Sequence, residues 1–170
     1  MTKILNEMRV SEAKDEGIGN MHQLKYDYEL EKVANSMAAD CTFKNGDYML
    51  VNSTQLFSFV KQMAHQPPTP YRLDSSVARA VFHPLQTEIA CIELAAPCPN
   101  RRVDEEGFCL IGPHSSPHSK DDFKKGPLGT HCDHGVADNG LCKAGPKSGS
   151  DDQLNFSIFA VFAASVMIFY

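Results

Sequence analysis

The sequence predicts an α+β domain, and three observations predict it. Apolar residues recur at helical spacing through the first half of the chain. After Thr87, β-branched and apolar residues crowd into two short runs. From Gly112 the chain turns rich in Gly, Pro, Ser and His and carries two cysteines. Helices first, strands next and a cysteine-tied loop last describe helices packed against a small sheet.

Ile4, Leu5 and Met8 predict a short amphipathic helix, broken at Gly17-Ile18-Gly19-Asn20. The strongest helix runs from Asp27 to Asp40. Asp27 suits the N-cap, Glu29 and Glu31 suit the positive end of the dipole, and Leu30, Val33, Ala34, Met37 and Ala38 form a stripe. Ser53 or Thr54 can cap a second helix with Leu56, Phe57, Val60 and Met63 on one face. Gln66-Pro67-Pro68-Thr69-Pro70 stops it. Asp74 or Ser75 starts a third helix through Val77, Ala78, Val81 and Phe82, ended by Pro84. Thr87–Leu94 and Gly107–Ile111 read as strands, with the turn Ala96–Asn100 making them an antiparallel hairpin.

The chain of 170 residues suffices for one domain with a core. A net charge of −5 leaves no basic patch and argues against nucleic acid as a partner. Leu154 to Tyr170 carry no charge. Ser148-Gly149-Ser150, then Asp151-Asp152-Gln153, precede this apolar end, in the pattern of a glycolipid-anchor signal with Ser148 as the attachment candidate. A membrane helix and a buried core helix are the alternatives. As a helix the run reaches roughly 25 Å, short of a hydrocarbon core of about 30 Å. Four phenylalanines without a polar face argue against the core helix, because a helix packed at the surface of a core needs an amphipathic pattern. Secretion implies oxidising conditions, so the six cysteines read as disulfides. Met1–Glu7 shows no apolar signal region, so secretion calls for a leader upstream of this start. Asn52-Ser53-Thr54 is an N-glycosylation acceptor in that compartment.

Candidate chemistry is sparse. His114 and His118, with His131-Cys132-Asp133-His134, offer zinc-type ligands, but no helix sets their geometry and Cys132 has a competing partner. His83 before Pro84 lacks a recognisable nucleophile and reads as structural. No metal, cofactor or catalytic residue is assigned.

Several blocks resemble the CAP superfamily of cysteine-rich secretory, antigen 5, pathogenesis-related 1 and venom-allergen-like proteins. Ile4-Leu5-Asn6-Glu7 with Arg9 is similar to its opening. Asn20 to Ala34, through Cys41, is similar to its first helix. Thr87-Glu88-Ile89-Ala90-Cys91, Phe108-Cys109-Leu110-Ile111-Gly112-Pro113 and Gly140-Leu141-Cys142 are similar to its later cysteine blocks. The resemblance implies a reduced α–β–α sandwich with a small antiparallel sheet. It implies a CAP-like domain over 1–128, a short cysteine hinge over 129–147 and a hydrophobic tail over 148–170. Together with strand neighbours it favours Cys91–Cys98, Cys41–Cys109 and Cys132–Cys142 among fifteen pairings. The family cleft holds two histidines and two glutamates. Here Val77 falls at one histidine position, Val60 near one glutamate position, and no histidine lies between His22 and His65. What the resemblance then implies is a monomeric, non-catalytic module, secreted or anchored in the membrane by its tail, binding a lipid, sterol or protein. A metal-dependent or proteolytic enzyme and a degenerate or truncated paralogue are the alternatives.

Overall fold

Side chains alternate between two faces of a strand, and here each face finds its own helices. The computed structural model describes residues 1–65, 75–99 and 106–147. Strands β1 (Lys25–Tyr26), β2 (Met49–Asn52), β3 (Glu88–Glu93) and β4 (Gly107–Gly112) form one sheet in the order β1-β3-β4-β2. Helices among the described residues are α1 (Thr2–Asp15), α2 (Tyr28–Asp40), α3 (Ser53–His65) and α4 (Ser76–Val81), with a 3-10 turn at Lys120–Asp122. Ala90, Ile92, Phe108 and Leu110 point to α2, meeting Leu30, Ala34 and Met37. Ile89, Cys109, Ile111 and Val51 point the other way, onto Leu5 of α1, Leu56 and Phe59 of α3, and Val77, Ala80 and Val81 of α4. The result is an α–β–α sandwich with β4 buried along its whole length. Phe108, Leu110 and Ile111 are fully buried; each such side chain contributes roughly 1.5–3 kcal/mol by leaving water.

Local chemistry explains the element ends. The Asp27 carboxylate accepts from the Leu30 amide at 2.7 Å, as the sequence predicts. Ser75 Oγ accepts from the Ala78 amide at 3.1 Å and starts α4. The cap of α3 differs from expectation: Asn52 Oδ1, not Ser53 or Thr54, accepts from the Gln55 amide at 3.0 Å. The inner face of α3 differs too, with Phe59 buried and Phe57 exposed. Val33 likewise lies outside the buried stripe of α2. The sheet is mixed, not wholly antiparallel. The two-residue β1 runs parallel to β3, while β2 and β3 both run antiparallel to β4. The proline-rich connector Gln66–Pro70 and the 148–170 tail lie outside the described residues.

The disulfide pairing corrects two expectations. Cys41 bonds Cys98, and Cys91 bonds Cys109; the expected Cys41–Cys109 and Cys91–Cys98 are absent. The reason is register. Cys91 and Cys109 stand directly opposite in the β3–β4 ladder, with Cα atoms 4.0 Å apart. Cys41 ends α2 in the left-handed conformation, at φ 55°, and meets Cys98 beyond the end of β3. Cys132 bonds Cys142. That loop is fastened to the domain. The Cys142 amide donates to Met21 O and its carbonyl accepts from the Gln23 amide, while Leu141 is buried with Ala13, Ile18 and Met21. Gly19 permits the approach, because a Cβ there would sit 2.6 Å from Thr130 Oγ1.

Polar side chains bind the layers to the loops. The Arg9 guanidinium is fully buried. It donates to His22 O at 2.8 Å, Gln86 O at 3.1 Å, Pro84 O at 3.4 Å and also to Val81 O. Three side-chain amides act as backbone rungs. Asn6 pairs both ways with Leu24, Gln86 with His114, and Asn20 with Asp122 O and the Lys124 amide, at 2.7–2.9 Å. Each satisfies two backbone groups that burial would otherwise leave costly.

Non-reducing peptide mapping should recover Cys41–Cys98 and Cys91–Cys109 fragments, and a Cys41–Cys109 fragment would contradict this register. Arg9→Met should lower unfolding free energy by about 3 kcal/mol or more, since hydrogen bonds to a charged group contribute about 1.5–3 kcal/mol each and buried carbonyls lose their donors. Urea denaturation measures it; a loss under about 1 kcal/mol would show that the carbonyls find other donors.

Candidate functional site

Two of the hollows among the described residues bear on the sequence candidates. The first is a hollow of about 390 Å³ between the inner turn of α3 and the start of α4, lined by Thr54, Gln55, Ser58, Gln62, Ser75 and Ser76 with Phe59 and Val77. Val77 stands at the position that the CAP resemblance gives to a cleft histidine, and it is buried in the core. The described lining offers hydroxyls, amides and apolar carbon, but no imidazole or carboxylate. Such groups neither ionise near neutrality nor hold a divalent metal as imidazoles do.

The second place lies behind α4, where three of the predicted loop and helix-end histidines come together. His83 leaves α4, His114 follows β4, and His118 precedes the 3-10 turn. The rings of His83 and His114 stack with centroids 4.9 Å apart, and His118 meets His83 edge-on at 6.1 Å. Stacked rings do not converge their nitrogens on one point, and no cluster of three metal-ligating side chains occurs among the described residues. The Leu85 amide donates to His83 Nδ1 at 3.2 Å. Nδ1 is then the acceptor, so the ring proton sits on Nε2, 4.0 Å from Asp122 Oδ2. No hydroxyl or thiol hydrogen-bonds to His83 among the described residues. Burial, reinforced by His114, lowers the His83 pKa to about 4. Burial also lowers that of His118.

Next to this cluster a cavity of about 440 Å³ opens between α1, α4 and the 118–125 loop. Glu12 of α1 reaches it. Burial, with Glu16 and Asp15 close by, raises its carboxyl pKa to about 7. Neither Glu12 nor Asp122 was legible as a site residue. Glu12 stands three residues after Arg9 on the inner stripe of α1, a periodic signal that marks burial but not chemistry. Asp122 carries no local signal.

The remaining sequence candidates fall elsewhere. Asn52 is 8% exposed and its side chain caps α3, so the glycosylation acceptor nitrogen sits where a glycan has little room. His131 and His134 are exposed, and His131 Nε2 lies 3.0 Å from Lys125 O. Ser148 lies outside the described residues.

The layers, the helix order and the cysteine-tied loop define a CAP-type α+β sandwich. The hookworm platelet inhibitor has this fold: it superposes with a TM-score of 0.55 at 16% identity, over 86% of this chain and 89% of that one. The crystal structure of NaASP2 with Zn2+ superposes with a TM-score of 0.53 at 20% identity, over 83% and 92%. At such identities the likeness establishes the fold. No protein-family model matches the sequence, and neither does any curated protein sequence.

Linkage gives the two buried acid–base groups opposite signs. His83 is lowered from 6.5 to about 4, so the unfolded chain takes up the proton first. Its contribution to stability is full above about pH 6.5 and is lost as the pH falls toward 4. Glu12 is raised from 4.5 to about 7, so the folded chain keeps the proton longer. Its contribution is full below about pH 4.5 and is lost as the pH rises through 7. Urea midpoints measured from about pH 4 to pH 8 should therefore show a flatter acid limb in His83→Asn and a gain in Glu12→Gln confined to the alkaline side. Parallel profiles for wild type and both variants would contradict the assignment.

Proposed function

We propose that the chain is an extracellular, non-catalytic CAP-type binding module that acts as a monomer on a lipid, sterol or protein partner. The observation that carries this reading is the hollow at α3 and α4. Where the family cleft places imidazoles and carboxylates, its described lining is Thr, Ser, Gln, Phe and Val. A described lining of hydroxyls, amides and apolar carbon supports recognition rather than hydrolysis. Three disulfides and no free cysteine among the described residues favour an oxidising compartment. The uncharged end of the sequence favours tethering through Ser148. No helix among the described residues is long and apolar enough to cross a membrane.

Expression in a secretory host with a signal peptide supplied should put the protein on the cell surface, and phosphatidylinositol-specific phospholipase should release it. Retention after treatment would sink the anchor. The purified protein should show no peptide or ester hydrolysis with or without added zinc. Metal-dependent hydrolysis abolished by His83→Ala would make the chain an enzyme instead.

A further inference from the structure

Buried carboxyls normally find a donor, because an unpaired polar group in a low-dielectric setting is costly. Glu12 is 8% exposed, and its carboxyl makes no hydrogen bond or ion pair among the described residues. It lines the cavity behind α4 together with Ile18, Ala78, Phe82 and Phe123, with Glu16, His118, Arg79, Lys120 and Lys125 completing the lining. The group thus faces open, mostly apolar space without its natural partner. Its surroundings sharpen the demand. Asp15 and Glu16 stand three and four residues further on, at the C-terminal end of α1, where the helix dipole is itself negative. Lys125 offsets this only in part. Its Nζ is committed to the Glu16 carbonyl at 2.6 Å, and its effect on Glu12 is smaller than that of either acid. Arg79 and Lys120 also line the cavity, but neither forms an ion pair with Glu12.

We propose that this cavity is a binding site for a small organic ammonium ion with an aromatic or apolar body, its charge on the Glu12 carboxylate. The carboxylate supplies the strong charge-assisted hydrogen bond. Phe82 and Phe123 supply apolar cover and ring faces that attract a cation. The volume of about 440 Å³ lies within the range of small-molecule pockets. A free metal ion fits less well, because no cluster of three metal-ligating side chains occurs among the described residues. The site is separate from the α3–α4 hollow. The proposal rests on the binding-module reading only in giving the chain a ligand, and it needs neither secretion nor anchoring.

Titration calorimetry of the full, disulfide-intact chain at about pH 7.5 tests it with three probes of one shape: 2-phenylethylammonium, 2-phenylethanol and 3-phenylpropionate. The ammonium should bind saturably at one site, at least tenfold tighter than the alcohol, with the carboxylate weakest. Glu12→Gln, checked for folding by its thermal transition, should weaken the ammonium at least tenfold and leave the alcohol unchanged. At about pH 6.5, binding should release a proton from Glu12, read as a dependence of the heat on buffer ionisation. Phe123→Ser should weaken the ammonium severalfold and serves where Glu12→Gln does not fold. Absence of saturable ammonium binding, equal affinity for all three probes, or ammonium affinity unchanged in both variants would overturn the proposal. A module that fails this test and is still secreted without hydrolytic activity keeps the general reading.

Discussion

The Arg9 guanidinium is the constraint on which the rest depends. It is a buried charge without a carboxylate among the described residues, held by carbonyls from three places in the chain: His22, Val81, and the Pro84–Gln86 turn. Burial lowers its pKa to about 9, so it remains charged at neutral pH. A charge so placed is tolerable only if its donors are nearly all used. That requirement ties α1 to the turn leading into β3. Pro84 O also accepts from the His22 amide, with His22 Nδ1 3.0 Å away. The end of α4 therefore cannot shift without breaking several bonds at once.

Asn6, Asn20 and Gln86 extend the same logic. Each lies where two chain segments approach without room for a ladder, and each supplies both an acceptor and a donor in place of backbone. Hydrophobic layers make the sandwich, but they are non-directional. The amides and Arg9 set the register of the loops against those layers. That is how a small, partly parallel sheet keeps a long irregular segment, Pro113 to Lys147, in one conformation. Lys147 closes it by pairing with Asp27 and with Glu88, the latter at 3.0 Å.

The same packing creates the chemistry behind α4. His83 is drawn into the interior by the turn that Arg9 holds, and the loop anchored by Gln86 and Asn20 lays His114, His118 and Asp122 against it. Neighbouring Glu12 lines a cavity that the same loop's Phe123 also lines. Acid–base groups of opposite sensitivity end up on two sides of one cavity wall.

The sequence by itself determined the helices, the antiparallel β3–β4 pair, the Asp27 cap, and the order of motifs that resembles CAP proteins; it left the α4 cap between Asp74 and Ser75 and did not show β1 or β2. These are local properties, governed by periodicity and capping over a few residues. Only the tertiary structure decided the rest. The disulfide partners followed from a cross-strand register that puts Cys91 opposite Cys109, which cysteine spacing alone does not contain. The brief parallel pairing of β1 exists because β3 offers it an edge. Phe59 rather than Phe57 entered the core because the rotation of α3 is set by what it packs on. Arg9 and Glu12 read in sequence as ordinary charges on a helix. Burial gave them their roles, and burial is a property of the folded neighbours, not of the residue.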